Sequence, residues 1–515
     1  MEFNLADLFE SLADAVGDRT AVVCGDQRLT YAELDARANR LAHHLQAAGV
    51  KPGEHVGMYL YNGTEYVEGL LACLKMRAVP INVNYRYVRD ELRYLYDNAN
   101  LVGLVYNTEF ADRVTAVLPD VPRLRHLLAV GTHEYEEALA AQPGDRTGFP
   151  ERSADDLMII YTGGTTGMPK GVVWRHEDLL FGGMSGGMEP LARPEDAGPR
   201  AAAAAPHVMF AAPPLIHGTA VLATFITFLA GGKVCLIGKY SGSGAVRVIQ
   251  DQGCQTMMIV GDAMATPLVE ALDADPRPLP SLHVIASAGA LLTQPVRDRL
   301  HAHLPDLYIV DSFGSTETGH SGAGMDQNLR FTVNNTTAVL DDALRPVTPG
   351  SAVVGQVARR GHIAQGYYRD PDRTARTFVE VDGVRWVLSG DMATVDADGT
   401  VHFHGRGTIC INSGGEKIHP EEVEAALKTH PAVTDAIVAG IPDPRWGQKV
   451  AAVLQLHPTA VIPTQQDLEN HLAPLIARYK LPRLTHVVPS IQRSPSGKPD
   501  YRWATETLLR AARDG

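Results

Sequence analysis

The stretch YTGGTTGMPKG, from Tyr161 to Gly171, sets four glycines, three threonines and one lysine directly after the apolar run LMII. Successive glycines let backbone N–H groups converge on one oxyanion, threonine hydroxyls add donors, and Lys170 adds a point charge. The chemistry such a pattern serves is the holding of phosphate. The register is not that of G-x-x-x-x-G-K-[ST], because Lys170 is followed by Gly171, and G-x-G-x-x-G is absent from this stretch. An ordinary glycine-rich surface turn is the other reading of the same residues.

The elements around this loop come from hydrophobic periodicity. LTYAELDARANRLAHHLQAAGV has apolar residues at helical spacing and closes on Gly49, HVGMYL reads as a buried strand, EYVEGLLACLKMRA as a helix, and VPINVN and LVGLVY as strands. That alternation predicts βαβ units and a largely parallel sheet covered by helices. Residues 182–206, rich in Gly, Pro and Ala without a sustained period, read as an irregular insertion. Alternation resumes with KVCLIG, TMMIV, LHVIASAG and LYIVDSFG, several ending on small residues, and ligands gather at the carboxyl ends of such strands. After VHFHGRG the texture changes: HPEEVEAALKTHP is a helix with Pro420 in its first turn, followed by two extended stretches, a second helix (QQDLENHLAPLIA) and a strand (THVVP). The fold class is therefore α/β: a large N-terminal domain of sheet subdomains, residues 1–405, and a small α+β C-terminal domain, residues 406–515.

A chain of 515 residues is too long for one ordinary domain. Its net charge of −13 argues against a generic nucleic-acid or anionic-membrane surface, while leaving room for a local anion site. Five scattered cysteines without a C-x-x-C pair indicate neither a zinc site nor a disulfide framework, and fit a reducing cytoplasm. The N-terminus MEFNLADLFE lacks a basic segment followed by an apolar core, so no signal peptide is expected. The longest apolar stretch, residues 220–230, is too short to span a membrane and reads as a buried helix.

YTGGTTGMPKG is similar to the signature of the adenylate-forming superfamily, which contains acyl-CoA synthetases, peptide-synthetase adenylation domains and beetle luciferases. Further stretches resemble its other motifs in order: LTYAEL, PLIHGTA, DSFGSTETG, SGD at Ser389–Asp391, GRGTICINSGGEKIHPEEVE and SPSGK. The resemblance covers nearly the whole chain. It implies that a carboxylate attacks the α-phosphate of ATP, giving an acyl-adenylate and pyrophosphate, and that the acyl group then passes to the thiol of CoA. Two anions must be brought together in the first step, so charge neutralisation and positioning dominate its barrier.

By the same resemblance Lys498 bridges carboxylate and α-phosphate, Thr316 holds phosphate or carboxylate, and Glu317 is the Mg²⁺ ligand, a role that suits a carboxylate beside phosphate oxygens. Thr162, Gly163, Gly164, Thr165, Thr166, Gly167 and Lys170 wrap the β- and γ-phosphates. Gly289, Ala290, Asp311, Phe313 and Gly314 form the adenine slot, Asp391 accepts from the ribose hydroxyls, and Arg406 contacts ribose or phosphate. His217, Gly218, Ala263, Ala288, Ser312 and Ser315 line the acyl site, and the small residues Gly218, Ala263, Ala286 and Ala288 are compatible with a roomy pocket. For the second step the small domain turns about a hinge near 406–408, Lys498 withdraws, and Gly414, Gly415 and Lys417 approach the pantetheine arm.

YTGGTTGMPKGVVWRHED, GDAMATPLVEAL, INSGGEKIHPEEVEAAL and RSPSGKPDYRW resemble phrases of actinobacterial ligases for steroid side-chain acids, with similarity also to ligases for polycyclic diterpenoid acids. A bulky apolar polycyclic acid is the implied substrate. One departure stands out: the hinge position that is acidic or lysine in many members is Thr408 here, followed by Ile409. Two alternatives follow. The protein could perform only the thioester half, on an adenylate from a companion enzyme, or it could be a stand-alone adenylation domain loading a carrier protein. Homodimerisation, common in the superfamily, stays open.

Overall fold

The computed structural model describes residues 1–514 except 163–167, 291, 325–329, 407, 408, 410, 414, 415, 444–446, 477 and 494–497; for Arg406, Asn412, Glu416, Lys417 and Asp514 it describes the backbone. Among the described residues the strands form three sheets of 14, 7 and 5 strands.

The 7-stranded sheet runs in the order Gly366–Tyr367, Lys170–Arg175, Leu157–Thr162, Val79–Asn82, His55–Tyr59, Leu101–Asn107, His126–Val130. Its central pairs are parallel, as the alternation of helices and strands requires, whereas Leu157–Thr162 turns back antiparallel on Lys170–Arg175. The helix Tyr31–Ala47 shows why this lobe begins where it does. Thr30 Oγ1 accepts from the Glu33 backbone N–H at 3.2 Å while Glu33 accepts from Thr30 N–H at 2.8 Å, a reciprocal cap for the exposed amides of the first turn. Its apolar stripe, Leu34, Ala38, Leu41, Ala42 and Leu45, is buried. Beneath it Lys75 is fully buried and held at 2.6 Å by both Glu10 and Asp35, with Arg152 and Arg146 completing their coordination.

The 14-stranded sheet is parallel through Thr20–Cys24, Lys233–Leu236, Val208–Ala211, Thr256–Ile259, Val284–Ala288 and Tyr308–Ser315. From there it continues antiparallel through Gly319–Gly324, Arg330–Val333, Val401–Arg406, Val384–Val395, Gly355–Arg360 and Thr337–Leu340. The expected parallel sheet thus ends at Ser315, and hairpins extend it. The apolar run expected to be a buried helix is the helix Gly218–Leu229, which carries a mostly buried set of side chains.

Two further differences have simple causes. The region 182–206 contains a helix, Ala197–Ala203, whose small residues let it lie directly on helix Leu5–Val16. A Cβ on Gly198 would come within 2.7 Å of Ser11 Oγ, and Arg19 Nη1 donates to the Ala201 carbonyl at 2.8 Å. Tertiary contact replaces the missing period. The C-terminal helix Tyr501–Asp514 has no counterpart among the sequence expectations, although Ala504 and Leu508 bury against the small domain's sheet.

The third sheet, Glu416–Ile418, Ile411–Ser413, Gly447–Leu456 and Val433–Asp443, with Leu484–Val488 parallel on the long central strand, begins five residues after the last strand of the large sheet ends at Arg406. It forms the core of the small C-terminal domain with the helix Pro420–Leu427.

Candidate active site

Strand Leu157–Thr162 delivers the glycine-rich stretch, and Thr162 pairs with Lys170 in its hairpin register. Gly163, Gly164, Thr165, Thr166 and Gly167 lie outside the described residues. Asn82, a polar residue closing an apolar strand, fixes the approach. Its side chain accepts from Tyr161 N–H at 2.7 Å and donates to the carbonyls of Tyr161 at 2.7 Å and Ile216 at 2.6 Å. It therefore ties the end of the strand that leads into the glycine-rich stretch to the segment holding His217.

Opposite stands the hairpin between Tyr308–Ser315 and Gly319–Gly324. Gly314 is required there, because a Cβ would overlap the Gly319 carbonyl oxygen. Ser315 and Thr318 close the turn with reciprocal side-chain to backbone bonds at 2.9 and 3.1 Å, and Trp174 Nε1 donates to the Thr316 carbonyl at 2.9 Å. The turn sets Glu317 against Lys170, with Nζ donating to Oε1 at 2.8 Å, and the Tyr367 hydroxyl donates to the same oxygen at 2.8 Å. Lys170 also lies 4.6 Å over the Tyr367 ring. Burial alone would raise the Glu317 carboxyl, but Lys170 and the Tyr367 hydroxyl bring it down to about 2. Glu317 is thus an anion throughout the physiological range.

Such a carboxylate is the donor a hard cation takes. Among the described residues no group of three or more His, Cys, Asp or Glu side chains could hold a metal. A cation here would rely on Glu317 together with nucleotide oxygens and water.

Along the strand ends, Asp311 is held by buried Arg297, which also donates to the Leu292 carbonyl at 3.1 Å. Phe313 packs against Phe331 and Phe403 at ring separations of 5.1 and 5.3 Å, leaving only an edge, 9% of the residue, exposed. Ser312 pairs with Ala288 across the parallel ladder, and Gly289 follows with φ +81° beside Ala290. Asp391 is buried, its backbone N–H accepted by Ser389 Oγ at 3.0 Å, and it lies across the ladder from Arg406.

His217 precedes the helix Gly218–Leu229 and is half-buried, with its Nε2 buried and without a hydrogen-bond partner. Burial, aided by the charges of Lys498 and Arg86, pushes its imidazole down to about 3, so it stays neutral. Lys498 comes from the small domain to the same place: its Cε lies 3.7 Å from where a Cβ on Gly289 would sit. The structure therefore brings together Lys498, His217 and Gly289, and separately Lys170, Glu317 and Tyr367, the two groups joined through Thr162 and Asn82. Gly414, Gly415 and Thr408 lie outside the described residues, as does the side chain of Lys417.

Behind His217 and Gly218 the cavity is about 10 Å³, lined by Met58, Leu70, Met158, Ile160, Ile216 and Val221, and holds roughly one water. Ala263 sits in the first turn of helix Gly261–Ala274.

Tyr367, Asn82, Trp174 and Arg297 are site residues that the sequence motifs did not supply. Asn82 carries the clearest signal, an amide at the end of a buried strand; the other three act through contacts between segments far apart in sequence.

With this geometry, the chain belongs to the AMP-binding enzyme family, which it matches over residues 9–368, and its residues 422–498 match the AMP-binding enzyme C-terminal domain. It is an AMP-forming acid–CoA ligase. A medium/long-chain-fatty-acid–CoA/3-oxocholest-4-en-26-oate–CoA ligase of Mycobacterium marinum is 46% identical, covering 99% of this chain and 98% of its own. A 3-oxocholest-4-en-26-oate–CoA ligase of Rhodococcus rhodochrous is 44% identical, covering 99% and 97%. The fold is shared with the anthranilate CoA ligase AuaEII in complex with anthranoyl-AMP, at TM-score 0.86 and 22% identity over 99% of this chain and 98% of that one. ATP-bound MatB from Rhodopseudomonas palustris has the same fold, at TM-score 0.82 and 23% identity over 99% of each chain. Among the described residues no helix is long and apolar enough to cross a membrane.

Proposed function

We propose that this ligase joins a bulky, apolar polycyclic acid of the steroid side-chain type to CoA, with medium- and long-chain fatty acids as further substrates, and that one chain performs both half-reactions. The observation that carries the two-step reading is the position of Lys498 beside Gly289 and close enough to His217 to act on its charge. A chain confined to the thioester half would have no use for that placement. The substrate class rests on the relatives, similar over nearly their whole length, whose names specify a steroid acid.

The steps follow from charge. An oxygen of the substrate carboxylate attacks the α-phosphorus while the bond to the bridging oxygen of pyrophosphate breaks. Lys498 offsets the approach of two anions, and Lys170, exchanging Glu317 for phosphate, holds the leaving pyrophosphate. Mg²⁺, bound through Glu317, would supply charge neutralisation on the phosphate oxygens. Asp391 and Asp311 fix ribose and adenine, and neutral His217 offers its unpartnered Nε2 to the acyl end. The domain boundary at 405/406 then lets the small domain turn, the CoA sulfur attacks the acyl carbonyl with loss of its proton to solvent, and AMP leaves.

The test is acyl-CoA formation by mass spectrometry with ATP, Mg²⁺, CoA and a panel of fatty, aryl, steroid and diterpenoid acids. Turnover of free steroid acids, lost in Lys498→Ala, is the expected result. Thioester formed solely from synthetic adenylates would overturn the two-step reading, and preference for small aryl acids would overturn the substrate class.

A further inference from the structure

One charged cluster outside the groups described above crosses between the two domains. Lys428, at the end of helix Pro420–Leu427, lies 3.0 Å from Asp435 in its own domain and 3.6 Å from Asp262 in the large domain, with side-chain exposures of only 7% for Lys428 and 14% for Asp262. Asp435 also receives Arg493, at 2.8 Å from Nε and 2.6 Å from Nη2. Arg493 immediately precedes SPSGK, the segment that ends in Lys498. On the other side Asp262 is rigidly placed, since its Oδ1 accepts from Thr293 N–H at 2.8 Å.

The anions that face Lys428 come from both domains. Within the small domain Lys428 and Arg493 share Asp435, and burial raises the neighbouring Glu424 to about 7, against the pull of Lys428 and Arg493. Glu424 accepts from Val438 N–H at 2.9 Å and from the Tyr501 hydroxyl at 3.4 Å. Asp262 adds a carboxylate from the facing domain. A buried cation deprived of an anion is costly, so the pair favours whichever orientation makes it. That is the orientation in which Lys498 stands at Gly289.

We infer that the Asp262–Lys428 ion pair is an orientation-specific latch, which holds the small domain in the adenylate-forming position and must part before the thiol can be used. The inference rests on the two-step reading above. Asp262 and Lys428 are positioning residues; their effect reaches the chemistry through Asp435, Arg493 and the segment bearing Lys498.

Asp262→Asn in the full chain keeps the acceptor for Thr293 N–H and removes the charge. Its acid-dependent pyrophosphate exchange is expected to fall about 5- to 30-fold, while thioester formation from synthetic acyl-adenylate and CoA stays at or above the wild-type rate. Asp262→Glu should recover exchange. Lys428→Gln, which leaves Asp435 its Arg493 partner, should reproduce the asymmetry. Equal rates to wild type in both halves, or a parallel fall in both with an unchanged unfolding temperature, would overturn the latch alone. A wild-type protein that shows no pyrophosphate exchange with any acid of the panel would overturn the two-step reading and the latch together.

Discussion

Glu317→Gln separates the electrostatic from the steric content of the site. The amide keeps the shape and still accepts from the Tyr367 hydroxyl, but it leaves Lys170 without its counter-ion at 2.8 Å. The carboxyl falls from 4.5 to about 2 in the folded protein, which corresponds to about 3 kcal/mol of stabilisation of the ionised form. Side-chain exposures of 23% for Lys170 and 13% for Glu317 let water screen part of that, so the expected loss at pH 7 is about 1–3 kcal/mol. The sign follows from linkage. With the folded value below the unfolded one, the contribution is complete above about pH 4.5 and disappears as pH falls through about 2. Urea unfolding followed by tryptophan fluorescence, to which Trp174 beside Thr316 contributes, should show a lower midpoint for the variant at pH 7 and convergence with wild type in acid. Pyrophosphate exchange should fall by about 10²-fold or more, and the Mg²⁺ concentration giving half-maximal rate should rise. Identical midpoints at pH 7 together with an unchanged Mg²⁺ dependence would refute both the ion-pair argument and the assignment of the cation to Glu317.

Three further perturbations follow from named contacts. His217→Phe removes a buried nitrogen without a partner; since the folded imidazole takes its proton only near pH 3 while the unfolded one takes it near 6.5, wild type should lose stability relative to the variant across that window in acid unfolding curves. The same variant should raise KM for the acid if Nε2 meets the acyl end, and an unchanged KM would remove His217 from the substrate. Gly314→Ala forces a Cβ onto the Gly319 carbonyl and should cost about 2–4 kcal/mol, with adenylation lost even where the protein remains folded by circular dichroism. Lys75→Met leaves Glu10 and Asp35 with Arg152 and Arg146, and should lower the unfolding temperature by the equivalent of about 3–5 kcal/mol without changing KM for ATP or acid.

What the sequence made legible has a physical pattern. Elements whose burial is periodic were readable, as in the capped helix Tyr31–Ala47 and the strands of the parallel core, because local amphipathicity and capping express the tertiary contact directly. Helix Ala197–Ala203 was not, since it is fixed by the absence of side chains at Gly198 and by a single arginine from position 19. The site divides in the same way. Lys170, Glu317 and Lys498 could be located through motifs whose chemistry requires those residue types, whereas Tyr367 and Asn82 were hidden because each acts by joining segments distant in the chain. The latch pair is the extreme case. Asp262 reads as an ordinary acid in a helix's first turn and Lys428 as an ordinary cation at a helix's end, both explicable by the helix dipole alone. Only their approach to 3.6 Å across two domains gives them a second meaning. That meaning is conditional on orientation: the same two residues would again be unremarkable surface charges once the small domain has turned, which is why a half-reaction assay, and not a stability measurement, is the experiment able to see it.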